Sequence, residues 1–294
     1  MTLNLLVVSP KHVYQCSDFR LSYKGGFQTD HEAQKVVAIS SQNWSALVQF
    51  TGVAKTRTGF DTSNWLADLA KGNLPFKPNA PISWLIQQLM SLENHLKNVE
   101  NSTFSVVGFH DSKPIAKPFA YLVSNFQTLP DLRAVSPMRQ WKATKSLERH
   151  LAFATGSAAG HVTADELRRM RTLARKFQPA AVHQKLAELN RTIAERCGSD
   201  GPISESCFTG HMGLDGQGWL IPHNVNPGGE YLPQFARNLV QGHLRLVPRR
   251  DDGGKELPIR LVQIAFKRER GHFLMAAEFQ ACVVEDDPAT ENSN

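Results

Sequence analysis

Thr2 stands directly behind the initiator methionine, with Asp18 and Lys35 downstream, and the three together could make a hydrolase whose nucleophile and base belong to one residue. Removal of Met1 would leave Thr2 with a free α-amine, whose ordinary pKa of about 7.7–8.0 lies near working pH and far below that of a lysine. The hydroxyl would then attack a carbonyl while the amine, directly or through a water, accepts the proton. Lys35, as a nearby cation, would disfavour protonation of that amine and favour the developing alkoxide, and Asp18 would hold Lys35 charged and oriented. Gly52, closing an apolar run, is the candidate oxyanion donor through its backbone N–H, a contact typically worth about 2.7–4 kcal/mol of barrier. On spacing alone, Asp18 and Lys35 serve equally as a structural ion pair at strand ends, and Gly52 as a plain turn.

These residues can meet only if the segments between them fold back on one another. Residues 3–8 and 13–16 are apolar runs separated by a short turn, Pro10-Lys11-His12, and runs at 36–39 and 46–50 repeat the pattern. A helix is expected after the N-cap candidates Asp61, Thr62 and Ser63, and a longer one from Pro81 with Leu85, Leu89, Leu92, Leu96 and Val99 on one stripe. Strands return at 103–109 and 119–125, and 127–141 reads as loop. Thr163-Ala-Asp-Glu166 has the capping-box form ahead of Leu167, Met170, Ala174 and Phe177, and Leu186, Leu189, Ile193 and Cys197 follow Pro179 at helical spacing. Further strands are expected at 203–210, 219–221, 243–247, 259–267 and 273–284. Strands, a helix pair, strands, a helix pair and strands, in that order, predict an α+β fold in which two sheets stack and carry helices outside, a four-layer αββα sandwich.

The 294 residues are 41% apolar, enough for a real core, and carry a net charge of +6. No run approaches the roughly 18 apolar residues of a membrane span and no basic leader opens the chain, so the expected address is the cytoplasm. Cys16, Cys197, Cys207 and Cys282 lie far apart, without metal-ligand spacing, and are read as buried thiols. Arg168, Arg171 and Arg175 line one helix face, but no aromatics interleave with them, so a nucleic-acid partner is not expected.

The opening Thr2-Leu-Asn-Leu-Leu-Val-Val, the segment Cys16-Ser-Asp18-Phe-Arg20, Gln34-Lys35-Val-Val ahead of a strand, Phe50-Thr-Gly52, Val107-Gly-Phe109 and Ala154-Thr-Gly-Ser157 together resemble the proteasome β-subunit and HslV group of N-terminal nucleophile hydrolases. The acid keeps that family's separation from the threonine, and the lysine sits one residue further along. The resemblance runs from Thr2 to about Ser206. Ser199-Asp200-Gly201 and Ser204 echo the family's late acid and serine only loosely, and 210–254 has no counterpart. What the resemblance implies is a single proteasome-like domain over 1–284, extended from about residue 208, with a disordered acidic tail at 285–294. It also implies a threonine-type peptidase or amidase acting through Thr2, Asp18, Lys35 and Gly52, with Ser157 in a supporting polar role and no metal or organic cofactor. The partners it implies are a peptide or amide substrate and further copies of the chain in a ring or spiral. The other reading is a catalytically silent scaffold or assembly protein on the same sandwich.

Overall fold

The computed structural model describes residues 2–22, 28–29, 35–52, 60–71, 80–94, 102–111, 116–126, 139–142, 150–176, 178–198, 201, 203–223, 259–269 and 272–281. Within them the strands are β1 (Asn4–Val8), β2 (His12–Asp18), β3 (Leu21–Ser22), β4 (Gln28–Thr29), β5 (Val36–Ser40), β6 (Trp44–Thr51), β7 (Thr103–His110), β8 (Lys117–Ser124), β9 (Arg139–Lys142), β10 (Leu151–Thr155), β11 (Cys207–Gly213), β12 (Gln217–His223), β13 (Ile259–Glu269) and β14 (His272–Ala281). The helices are α1 (Thr62–Lys71), α2 (Ile82–Met90), α3 (Ala164–Lys176) and α4 (Pro179–Cys197).

Strand alternation sorts the first strand's side chains into two cores. Leu6 and Val8 join Val13, Leu47, Val107, Phe109, Phe208 and Met212 between the sheets, whereas Leu3, Leu5 and Val7 join Tyr14, Cys16, Met170, Val182, Leu186 and Ile193 beneath α3 and α4. A third cluster, including Val37, Ile39, Val48, Leu66, Leu69, Leu85 and Leu89, seals α1 and α2 onto the other sheet. Three apolar seams make four layers, the αββα sandwich expected from the element order. One sheet runs β10-β1-β2-β11-β12-β13-β14, the other β5-β6-β7-β8-β9.

The helix starts follow local chemistry. Asp61 caps α1 by accepting the Asn64 N–H at 2.9 Å, and Thr163 and Glu166 form a reciprocal box at α3, with N–H contacts of 2.8 and 3.2 Å. Pro179 occupies the first turn of α4, where its missing N–H costs nothing.

Several boundaries depart from the sequence expectation. Residues 203–206 are not strand: Ser204 Oγ bonds the Ser206 carbonyl at 2.7 Å, a local side-chain contact that competes with ladder formation, so β11 begins at Cys207. The stretch read as loop ends in β9, an edge strand hydrogen-bonded to β8. The second helix stops at Met90 and tightens into a 3-10 turn at Ser91–Asn94. The two-residue strands β3 and β4 are too short to leave a period. The strand expected at 243–247, the tail at 285–294, and Leu96 and Val99 lie outside the described residues. Cys16 and Cys207 are buried free thiols and Cys197 is a half-buried one, its helix-end position leaving it partly open; Cys282 lies outside the described residues. No helix among the described residues is long and apolar enough to cross a membrane.

Candidate active site

Thr2 sits at the upstream end of β1, between β2 and β10, which pair with β1 through Asn4↔Ser17 and Asn4↔Thr155. Beyond β10 the chain turns sharply at Gly156, whose φ of 96° lies in the left-handed region. The turn folds over Thr2: the Ala158 N–H reaches the Thr2 carbonyl at 3.4 Å, and the Thr2 N–H donates to Ser157 Oγ at 3.2 Å. A Cβ at position 156 would lie 2.0 Å from that carbonyl, so the close approach requires glycine. Thr2 is only 3% exposed.

Asp18 ends β2 beside this turn. Its Oδ1 accepts the Leu3 N–H at 2.9 Å and the Lys35 ammonium at 3.0 Å, and its Oδ2 accepts the Arg20 N–H at 2.8 Å. One carboxylate therefore holds the residue after Thr2, its own following loop and the start of β5. Lys35 is buried and donates a further bond to the Arg20 carbonyl at 2.7 Å. Burial lowers the Lys35 pKa, the Asp18 charge and hydrogen bond oppose that, and the Arg20 cation adds to the lowering. A nearby ammonium with a weakened hold on its proton suits a site where a proton must move.

Gly52 directly follows β6, is exposed and has φ of 103°. It lies two residues beyond Phe50, whose N–H donates to the Lys35 carbonyl at 3.2 Å. The structure thus brings Thr2, Asp18, Lys35 and Ser157 into one connected cluster and sets Gly52 on the neighbouring strand end. With Met1 in place the Thr2 nitrogen is an amide, so a free α-amine belongs to the processed chain.

A second rank of residues stands behind Asp18; Ser204 and Gly201 entered the sequence reading only as a loose echo, and Asn190 was missed. Ser204 Oγ accepts the Phe19 N–H at 3.0 Å. Asn190, fully buried on α4, donates to the carbonyls of Ser204 and Glu205 at 2.9 and 3.0 Å. Arg20 Nη1 donates to the Gly201 carbonyl. These contacts tie α4 and the 201–206 loop to the loop carrying the carboxylate. A polar residue at a core position of an otherwise regular helix was the available signal for Asn190.

Along β2, β11 and β12, beneath α4, lie imidazoles that no spacing rule gathers. His12 Nδ1 and His211 Nε2 are 3.1 Å apart, and Thr209 Oγ1 joins His183 Nδ1 at 2.6 Å to His223 Nε2 at 2.8 Å. Burial, with the charges of His183 and His12 adding to it, pushes the His211 pKa down to about 2. Burial likewise takes His183 to about 3, helped by His223, and His223 to about 4. These imidazoles are neutral at neutral pH.

No family model matches this sequence, and no curated protein matches it. Among solved structures the chain is similar to Anbu (ancestral beta-subunit) from Yersinia bercovieri, at 11% identity and a TM-score of 0.44 over 74% of this chain and 83% of that one. It is similar also to Anbu from Hyphomicrobium sp. strain MC1, at 9% identity and a TM-score of 0.44 over 72% and 82% of the two chains. A Gly-1 mutant of the Hyphomicrobium protein gives 10% identity and a TM-score of 0.45 over 73% and 88%. The expected assignment to proteasome β-subunits or HslV is corrected by these matches: the proteins found are Anbu, and 9–11% identity gives a likeness of fold rather than membership of either group. The fold stands on the chain's own layers, two antiparallel sheets with helices on both outer faces.

Proposed function

We propose that the chain is a threonine-type amide hydrolase, a peptidase or amidase, whose nucleophile is Thr2 after cleavage of the Met1–Thr2 bond. The observation that carries the reading is the inward-folded chain start: Thr2 N lies 3.2 Å from Ser157 Oγ, and the next N–H shares the Asp18 carboxylate with the Lys35 ammonium. In the processed chain the Thr2 amine takes the proton from Oγ as Oγ adds to the carbonyl. The leaving amine departs protonated, and water then releases the acyl group by the same route. Lys35 disfavours a cationic amine and stabilises the alkoxide; Asp18 orients Lys35; Ser157 positions the Thr2 nitrogen; the Gly52 N–H meets the oxyanion. The chain acts as one domain, in a homo-oligomer, in the cytoplasm. Free thiols at Cys16, Cys197 and Cys207 are consistent with that address.

Thr2→Ala is expected to keep the circular dichroism and melting behaviour of the native chain and to lose hydrolysis of a panel of peptide amides. Undiminished turnover by that variant rules the mechanism out.

A silent scaffold is the second reading, and one observation favours it: the Thr2 N–H already has a partner in Ser157 while it is still an amide, so the unprocessed chain satisfies its own contacts. Intact-mass measurement separates the two, since retained Met1 supports the scaffold and clean loss supports the enzyme. Light scattering of the same sample tests the oligomer.

A further inference from the structure

Residues 2–8 form the interior of a sheet rather than a loose terminus. β1 lies between β10 and β2, hydrogen-bonded along both edges. Thr2 is 3% exposed, and Leu3 and Asn4 are fully buried. Each of the three is also held by a side-chain contact: the Thr2 N–H by Ser157 Oγ at 3.2 Å, the Leu3 N–H by Asp18 Oδ1 at 2.9 Å, and Asn4 Oδ1 by Ser17 Oγ at 2.6 Å. Leu5 and Val7 enter the core beneath α3 and α4, while Leu6 and Val8 enter the core between the sheets. Freeing residues 2–4 therefore means drawing a central strand away from two partners and two cores. Such an event lies near global unfolding on the scale of local openings, far from the fraying of an end.

This burial decides when the bond ahead of Thr2 can be cut. A peptidase that removes an N-terminal residue needs the first residues extended in its own cleft, and it reaches a folded segment only through the open form, whose population sets the rate. The cover arrives late in synthesis. β2 follows β1 directly and can pair with it early, whereas β10 is complete only at Thr155 and the Thr2–Ser157 contact joins residues 155 positions apart. At about 5–20 residues per second, making those 155 residues takes roughly 8–30 s, during which Ser157 does not yet exist to hold Thr2.

We propose that Met1 is removed by a methionine aminopeptidase from the growing chain only, before β10 and the 156–158 turn close over Thr2, and that a chain folded with Met1 in place stays in the silent form. The step is a hydrolysis. Water adds across the Met1–Thr2 amide, the C–N bond breaks, methionine leaves with the hydroxyl as a free acid, and the Thr2 nitrogen takes the hydrogen as an amine. This order of events rests on the Thr2 reading above. It makes the hydrolase and the scaffold two fates of one chain, chosen by whether processing outruns folding.

The test is translation of the full chain in a cell-free system lacking methionine aminopeptidase, with the purified enzyme added either at the start of synthesis or after the chain has been released and has reached its native circular dichroism. Intact mass reads Met1. Early addition is expected to give a product lighter by one methionine, and late addition to remove Met1 at least about a hundredfold more slowly, because a buried central strand so seldom opens. A variant with Gly-Ser-Gly-Ser inserted between Met1 and Thr2 carries its methionine clear of the fold and should lose it equally in both arms. Equal removal of Met1 from the native chain in the two arms overturns the proposal. So do retention in both, loss without added enzyme, and an inserted variant as protected as the native chain. Amide hydrolysis by the early product tests Thr2 separately: a processed but inactive product sinks that mechanism and leaves the order standing, whereas late loss of Met1 sinks the order and leaves the mechanism.

Discussion

Acidification is expected to unfold this protein through its buried imidazoles, well before its carboxylates are protonated. His183, His211 and His223 have folded-state pKa values of about 3, about 2 and about 4 against an ordinary 6.5. Because the folded values are depressed, the unfolded chain takes up protons first as pH falls, so stability is full above about 6.5 and is lost below it. Each imidazole still neutral at pH 5 in the folded state withdraws about 2 kcal/mol between pH 7 and pH 5, so the three together withdraw about 6 kcal/mol. That is comparable with the whole stability of a typical domain, about 5–15 kcal/mol. His12, its pKa also lowered by burial, adds in the same direction; Asp215 opposes the lowering and Lys11 assists it. The carboxylate of Glu166, held down to about 2 chiefly by the Arg196 guanidinium, loses its contribution only below its ordinary 4.5 and stays outside the window. Urea unfolding at pH 7, 6 and 5 measures the effect. The slope expected between pH 6 and 5 is about 4 kcal/mol per pH unit, and a His183→Gln, His211→Gln double variant should retain only about a third of it. An unfolding free energy that stays flat from pH 7 to 5, or a slope untouched by the double substitution, refutes the burial argument.

Two further predictions concern the Thr2 cluster. Asp18→Leu strands the buried Lys35 ammonium and should cost about 3–5 kcal/mol, whereas adding Lys35→Met should recover most of that loss. A folded double variant without hydrolysis would assign the pair to chemistry, and one with normal hydrolysis would assign it to structure alone. Gly156→Ala forces a Cβ against the Thr2 carbonyl and a side chain into left-handed backbone, with an expected loss of about 2–4 kcal/mol in urea at unchanged m-value. A midpoint equal to the native one would mean that the turn does not grip Thr2.

The layer order was legible because each layer carries its own period. The continuous apolar run at residues 5–8 marks a strand buried on both faces, and a helical stripe at Leu186, Leu189 and Ile193 marks a helix buried on one. Asp18 and Lys35 could be paired in advance because each flanks a strand end, Asp18 closing β2 of one sheet and Lys35 preceding β5 of the other. Asn190 was harder, since from a helix laid across the sheet it holds the carbonyls of Ser204 and Glu205, and Ser204 in turn holds the Phe19 N–H beside Asp18; nothing local in the chain encodes that crossing. The histidines were invisible for a plainer reason. His12, His183, His211 and His223 come from three strands and a helix, and only the strand register and the helix laid over it bring His12 to His211 and, through Thr209, His183 to His223. The edge strand β9 was missed because Arg-Gln-Trp-Lys, paired with β8 at the sheet margin, has no alternation to display.

The inner faces of the two sheets are not uniform, and their asymmetry bears on where chemistry can sit. Toward one end the facing residues are Leu6, Val8, Val13, Val107 and Phe109, a dry seam. Toward the other they become Asn4, Gln15, Ser17, Gln49, Ser105 and Thr155, all fully buried. Some of these satisfy one another: Ser17 Oγ donates to Asn4 Oδ1 at 2.6 Å, and Gln15 Nε2 crosses to the Leu47 carbonyl at 3.1 Å. Others do not, for Asn4 Nδ2 and both amide atoms of Gln49 have no partner among the described residues. Each such atom costs about 1–3 kcal/mol, so a sandwich selected for stability alone would carry the leucines and valines of its other half here as well. Carried two residues upstream, the alternation that turns Asn4 and Leu6 inward places Thr2 in the same row. Polar groups thus accumulate between the sheets at the end where the chain start is tucked in, and the stability given up there is what the proposed nucleophile, Thr2, would require of its surroundings.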